Sequence, residues 1–174
     1  NNGISTASDV TTLIHSSEPN PVTNRTVGDV EIRNSGKLEI NDSTDFTIYG
    51  DLNNTATFTG SSGSEVLFKG SDNATIYGSN SFYDLNITKP SAYMFFEDGS
   101  TTTATNNFIV QGNSSDYTYL RSTTDSSQWN LNVSGSDVDY VDVKDSDANS
   151  RDTVVAYDAV NSGNNLNWDF GGPI

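Results

Sequence analysis

Short apolar–polar–apolar triplets recur through most of the chain. From residue 27 onward they include Val30-Glu31-Ile32, Leu38-Glu39-Ile40, Phe46-Thr47-Ile48, Ala56-Thr57-Phe58, Val66-Leu67-Phe68, Ala74-Thr75-Ile76, Leu85-Asn86-Ile87 and Leu131-Asn132-Val133. Apolar residues at i and i+2 are the signature of a half-buried strand. Turn-formers separate the triplets, as in Asn34-Ser35-Gly36, Gly60-Ser61-Ser62-Gly63 and Gly70-Ser71-Asp72-Asn73. No window sustains a helical period. The chain is therefore all-β, built of short and evenly spaced strands.

Such strands make a sandwich, a barrel or a solenoid. An internal echo favours the solenoid. The tetrapeptide Thr47-Ile48-Tyr49-Gly50 returns as Thr75-Ile76-Tyr77-Gly78, 28 residues later. Over residues 37–50 and 65–78 the apolar positions hold register, with Leu38 over Val66 and Ile40 over Phe68. Chance similarity in a chain rich in Thr and Gly is the competing explanation. Taken as a repeat, 28 residues hold three strand-and-turn units. That predicts a single-domain, three-sided parallel β-solenoid of about five coils, with successive coils about 4.8 Å apart. It also predicts Ile48 stacked on Ile76 in the core, Tyr49 on Tyr77 outside, and Gly50 and Gly78 at corners. A β-sandwich is the alternative fold.

Residues 1–26 lack the strand rhythm, except around Val10 to Ile14. They read as an N-terminal cap or docking arm, and residues 27–174 as the solenoid. The stretch Asn164–Phe170 alternates again and reads as a last strand or cap.

The run VLFKGSDNATIYGSNSFYDLNITK (66–89), together with WNLNVSGSDVDYVDVKDSDANS (129–150) and GNNLNWDF (163–170), resembles right-handed parallel β-helix domains of bacterial and archaeal cell-surface, S-layer-like and adhesin proteins. The resemblance covers roughly residues 27–170. It implies an extracellular structural or adhesive role and carries no catalytic residues with it.

Charge narrows the partners. Eight Lys and Arg face 23 acids, a net charge of −15. Such a surface repels nucleic acid and anionic membranes and attracts divalent cations. The apolar runs are too short to insert in a membrane. There is no cysteine, which removes disulfides and thiol chemistry. No signal-peptide pattern opens the sequence, so an exported chain would be represented here in its mature form.

The densest acidic stretch is Asp137, Asp139, Asp142, Asp145, Asp147 and Asp152. Within it Asp145, Asp147 and Asn149, with Asp152, imitate the opening of a calcium loop, whose oxygen ligands stand at alternate positions. Ser150 and Ala156 depart from the EF-hand pattern, and a solvated turn is the alternative. Seven Asn-x-Ser/Thr sequons, at Asn24, Asn41, Asn53, Asn73, Asn86, Asn113 and Asn132, are candidates for glycosylation and are close to the number composition alone supplies. His15 is the single histidine, and no catalytic triad stands out. Catalysis is not expected.

Alternating threonines, at Thr55 to Thr59 and Thr101 to Thr105, form rows of the kind that binds ice when stacked. They do not recur at 28 residues, so ordinary β-branched strand filling explains them. The function expected from the sequence is a structural, self-assembling extracellular surface protein, a subunit of a sheath, S-layer or filament, with itself as partner through solenoid edges. The alternatives are an adhesin or carbohydrate-binding module that takes glycans through exposed tyrosines, and a polysaccharide-active enzyme.

Overall fold

A computed structural model describes residues 4–6, 11–14, 24–41, 44–148 and 153–171. The described residues contain no helix, and every pairing between strands is parallel. The chain winds as a parallel β-solenoid. Parallel pairing of strands about 20 residues apart rules out the antiparallel sandwich.

Each turn crosses three faces. The first turn is β1 (Ile4–Thr6), β2 (Thr11–Ile14) and β3 (Asn24–Val27). The second is β4 (Val30–Ile32), β5 (Lys37–Ile40) and β6 (Asp45–Ile48). The third is β7 (Leu52–Asn54), β8 (Thr57–Gly60) and β9 (Glu65–Lys69). In the next three turns one long strand covers two faces: β10 (Ala74–Tyr77) leads to β11 (Asn80–Thr88), and β12 (Tyr93–Phe96) to β13 (Thr101–Gln111). Likewise β14 (Thr118–Ser122) leads to β15 (Trp129–Asp139). The faces separate again in β16 (Val141–Val143), β17 (Ser146–Asp147) and β18 (Val154–Tyr157). The final turn holds β19 (Val160–Asn161) and β20 (Trp168–Phe170).

The first face is an eight-stranded sheet, and the other two form one twelve-stranded sheet because β11, β13 and β15 run through both. Where they bend, the register slips between Phe82 and Asp84 and between Ala104 and Asn107. Asp84 holds the bend by accepting hydrogen bonds from the Asn107 backbone at 3.0 Å and the Asn106 amide at 2.8 Å.

The turn is about 22 residues, not 28, and from Val30 to Val160 there are about six of them. The step varies: 22 residues separate Val30 from Leu52, 20 separate Ala74 from Met94, and 26 separate Tyr93 from Tyr119. Corners absorb the difference. The two Thr-Ile-Tyr-Gly copies therefore lie on different faces. Ile48 pairs with Phe68 on the third face, whereas Ile76 pairs with Leu52 and Phe96 on the first. Both isoleucines are buried and both tyrosines exposed, as the alternation requires, but neither pair stacks.

Inward positions stack like on like. Val27, Ile48, Phe68, Ile87, Val110, Val138, Ala156 and Phe170 form one continuous column. Full burial of each large member contributes roughly 1.5–3 kcal/mol. Corners are held by polar ladders. The Asp29 carboxylate accepts the Asp51 N–H at 3.0 Å, and the Asp51 carboxylate accepts the Thr75 N–H at 2.7 Å. Buried Asn54 donates to the Asn80 side chain at 3.0 Å. β1, β2 and β3 pair in parallel with β4, β5 and β6. The rest of residues 1–26 lies outside the described residues. Asn164–Phe170 ends in β20, which pairs with β18.

Candidate functional site

The outer side of the first face carries the aromatic residues that sequence pattern left scattered. On β12, Met94 and Phe96 point inward, so Tyr93 and Phe95 point out. On β14 the same alternation presents Tyr119 and Arg121, and on β16 it presents Asp142. Register sets Tyr93 beside Tyr119, Phe95 beside Arg121, and Tyr119 beside Asp142. The Tyr93 and Tyr119 rings stack at 4.7 Å, the spacing that neighbouring strands impose. Phe95 lies parallel to Tyr93 at 5.6 Å.

Arg121 crowns this ladder, its guanidinium 5.8 Å from the Tyr93 ring centre and 5.5 Å from that of Tyr119. It donates to the Asp142 carbonyl at 2.6 Å and the Leu120 carbonyl at 2.9 Å, and pairs with the Asp142 carboxylate at 3.0 Å. Beyond the ladder the surface sinks into a recess of about 310 Å³, with Tyr93 and Phe95 on one side and Asp125, Lys144 and Asp145 on the other. Lys144 pairs with Asp125 and lies 3.8 Å from Asp145. The hydrogen bond between Lys144 and Asp125 raises the lysine's pKa and lowers the aspartate's. Two of the chain's eight cations thus meet here, each already matched by a carboxylate. An apolar wall with a few convergent polar groups is the general form of a small-molecule site.

The acidic stretch does not converge. One turn carries its members around all three faces. Asp137 and Asp139 belong to β15, Asp142 pairs with Arg121, and Asp147 sits in β17. Asp145 is buried, and its carboxylate accepts the Ser126 N–H at 3.0 Å and the Asn164 amide at 2.6 Å. Asn149 and Asp152 lie outside the described residues, as does His15. Among the described residues no three acidic or histidine groups gather as metal ligands. Asp139 has its pKa raised, first by burial and then by Asp137 and Asp158.

The sequons differ in exposure. Asn73, Asn113 and Asn132 are exposed, and Asn41, Asn53 and Asn86 are half-buried. The Asn86 amide nitrogen donates to Glu65 at 2.7 Å, so the atom a glycan would use is engaged. The Asn24 side chain is not among those described.

Sequence reasoning missed Tyr119, Arg121 and Lys144. The available signal was the pair Tyr93-Met94-Phe95-Phe96 and Tyr119-Leu120-Arg121-Ser122, an aromatic-led strand repeated one turn apart. It also missed Lys89, which is fully buried. Lys89 Nζ donates to the Lys69 carbonyl at 2.8 Å and to the Tyr49 carbonyl at 3.4 Å, tying three turns at one corner. Burial lowers its pKa from the ordinary 10.5, opposed by the charges of Asp72 and Asp51. The unfolded chain therefore binds this proton more readily in the window below pH 10.5, and this group's contribution to stability rises as pH climbs through that window. Denaturant titrations of wild type and Lys89→Met at rising pH should show the wild type gaining stability relative to the variant. Parallel pH profiles would remove the lysine as the cause.

No protein family, curated protein or solved structure gives a match to this chain.

Proposed function

We propose that this chain is an extracellular adhesive module that binds a glycan in the recess beside Tyr93. The observation that carries this is the joining of an exposed aromatic wall to the Arg121–Asp142 and Lys144–Asp125 pairs in one concavity. Tyr93 and Phe95 line the recess, and Tyr119 supports the wall from behind by stacking on Tyr93. The paired charges supply donors and acceptors in near balance, which suits a neutral sugar unit better than an ion. A volume of about 310 Å³ is at the small end for ligand sites and admits a short stretch of a glycan chain. The extracellular assignment rests on the resemblance to surface β-helix domains. The role is binding, without catalysis.

The test is a broad glycan array followed by calorimetry on any hit. Tyr93→Ala should weaken binding about tenfold or more, equivalent to about 1.4 kcal/mol. Arg121→Ala should do the same while also lowering stability by about 1–3 kcal/mol, since it frees two carbonyls and a carboxylate. An array on which the folded protein binds nothing would defeat the proposal.

Self-assembly is the second proposal. It is favoured by the exposed apolar side chains of Val160 in β19 and Leu166 just before β20, which are 44% and 51% exposed. Copies meeting through these side chains would take them out of water. The net charge of −15 opposes such contact unless salt or divalent cations screen it. Light scattering in EDTA and then in millimolar calcium should show growth with calcium, which screens the net negative charge. A monomer in both conditions would reject assembly.

A further inference from the structure

The second face carries a different surface, independent of the recess. Thr57 and Thr59, Ser79 and Ser81, and Thr101 and Thr103 recur at steps of 22 residues. Register places Thr59 beside Ser81 and Ser81 beside Thr103. A 28-residue period hides this recurrence, whereas the true turn length reveals two parallel hydroxyl rows, three turns long. Within a row the rungs are about 4.8 Å apart, and the rows stand about 6.6 Å apart, two residue rises along a strand.

The hydroxyls are free to face outward. Among the described residues those of Thr57, Thr59, Ser81, Thr101 and Thr103 have no hydrogen-bond partner, while the Ser79 hydroxyl accepts the Thr101 N–H at 3.1 Å. Flanking Thr55 and Thr105 behave otherwise, donating to the carbonyls of Ile32 and Phe82. A shallow trough of about 220 Å³ runs between the rows. None of the six positions is charged, in a chain of net charge −15.

We propose that this face binds the surface of ice, through waters held in the trough. Strand pairing fixes the Thr59, Ser81 and Thr103 row, and the Thr101 N–H holds the Ser79 hydroxyl of the other, so waters bonded to them take up a repeating arrangement. The threonine methyls beside them limit the competing geometries. A crystal surface repeats as the lattice does, is uncharged as the lattice is, and spans three turns. A dissolved sugar is too small to use that length, and no aromatic ring is exposed between the rows to stack on one.

The test is partition into slowly grown ice, with inhibition of ice recrystallisation as a second readout. Wild type should be enriched in ice above an inert control protein. Ser81→Lys places a long cation at the centre of the lattice from an outward position. It should fall to the control level with an unchanged circular dichroism spectrum and melting midpoint. Ser81→Thr completes a row and should match or exceed wild type. Wild-type partition equal to the control, or full enrichment by Ser81→Lys, would overturn the proposal. Binding to crystalline cellulose or chitin that Ser81→Lys abolishes, without ice enrichment, would overturn it too and assign the face to a polysaccharide crystal.

Discussion

Replacing Trp129 by alanine is expected to lower the unfolding free energy by about 3–5 kcal/mol. The indole is fully buried at the start of β15 and stacks on Phe96 with ring centres 3.9 Å apart and planes 10° from parallel. Phe96 belongs to the preceding turn, so the contact ties one turn to the next. Its removal leaves a hole that the corners on either side hold open. The indole N–H has no hydrogen-bond partner, in contrast to Trp168, whose N–H donates to Ser146 at 3.0 Å. Trp129→Phe keeps the stack and deletes an unpaired donor, so it should cost far less than Trp129→Ala. Urea denaturation followed by circular dichroism separates the two. Equal losses in both variants would show that the ring stack is not what matters.

Gly78→Ala should be nearly as damaging, for a different reason. Gly78 turns the corner after β10 with φ of +78°, and a Cβ there would stand 1.9 Å from the Asn54 carbonyl oxygen. The left-handed conformation alone costs an ordinary residue about 1–2 kcal/mol. The clash adds to this, because Asn54 cannot retreat without breaking its hydrogen bonds to Ser79 and Asn80. Gly99 is the internal control. It has φ of +70° and nothing within 4 Å of its would-be Cβ. Gly99→Ala should thus show only the conformational cost, and the excess in Gly78→Ala measures how closely two turns approach. Matching melting midpoints for the two variants would contradict the close approach.

The strands were legible because each one buries alternate residues, and that alternation is local. Val30-Glu31-Ile32, Phe46-Thr47-Ile48 and Val66-Leu67-Phe68 all proved to be strands with the inward residues expected. The turn length was misjudged because Thr-Ile-Tyr-Gly is what any strand entering such a corner tends to look like, whichever face it lies on. Gly28-Asp29 and Gly50-Asp51, 22 residues apart, carried the true spacing, since Asp29 caps the N–H of Asp51 directly. The recess was not legible. Tyr93, Arg121 and Lys144 come from three successive turns, and corners of unequal length conceal which residues become neighbours. The acidic stretch misled in the opposite way, since residues close in sequence are carried to separate faces within one turn.

The parallel register also has a mechanical consequence. Nearly all strand-to-strand hydrogen bonds run along the solenoid axis, joining each turn only to the turns before and after it. Tension applied between the two ends would load these bonds one turn at a time, as in opening a zip. Each detached turn of about 22 residues would pay out about 75 Å of extended chain. A chain of this kind, tethered at both ends, would lengthen in steps under load and act as a shock absorber while the turns not yet reached kept their surfaces intact.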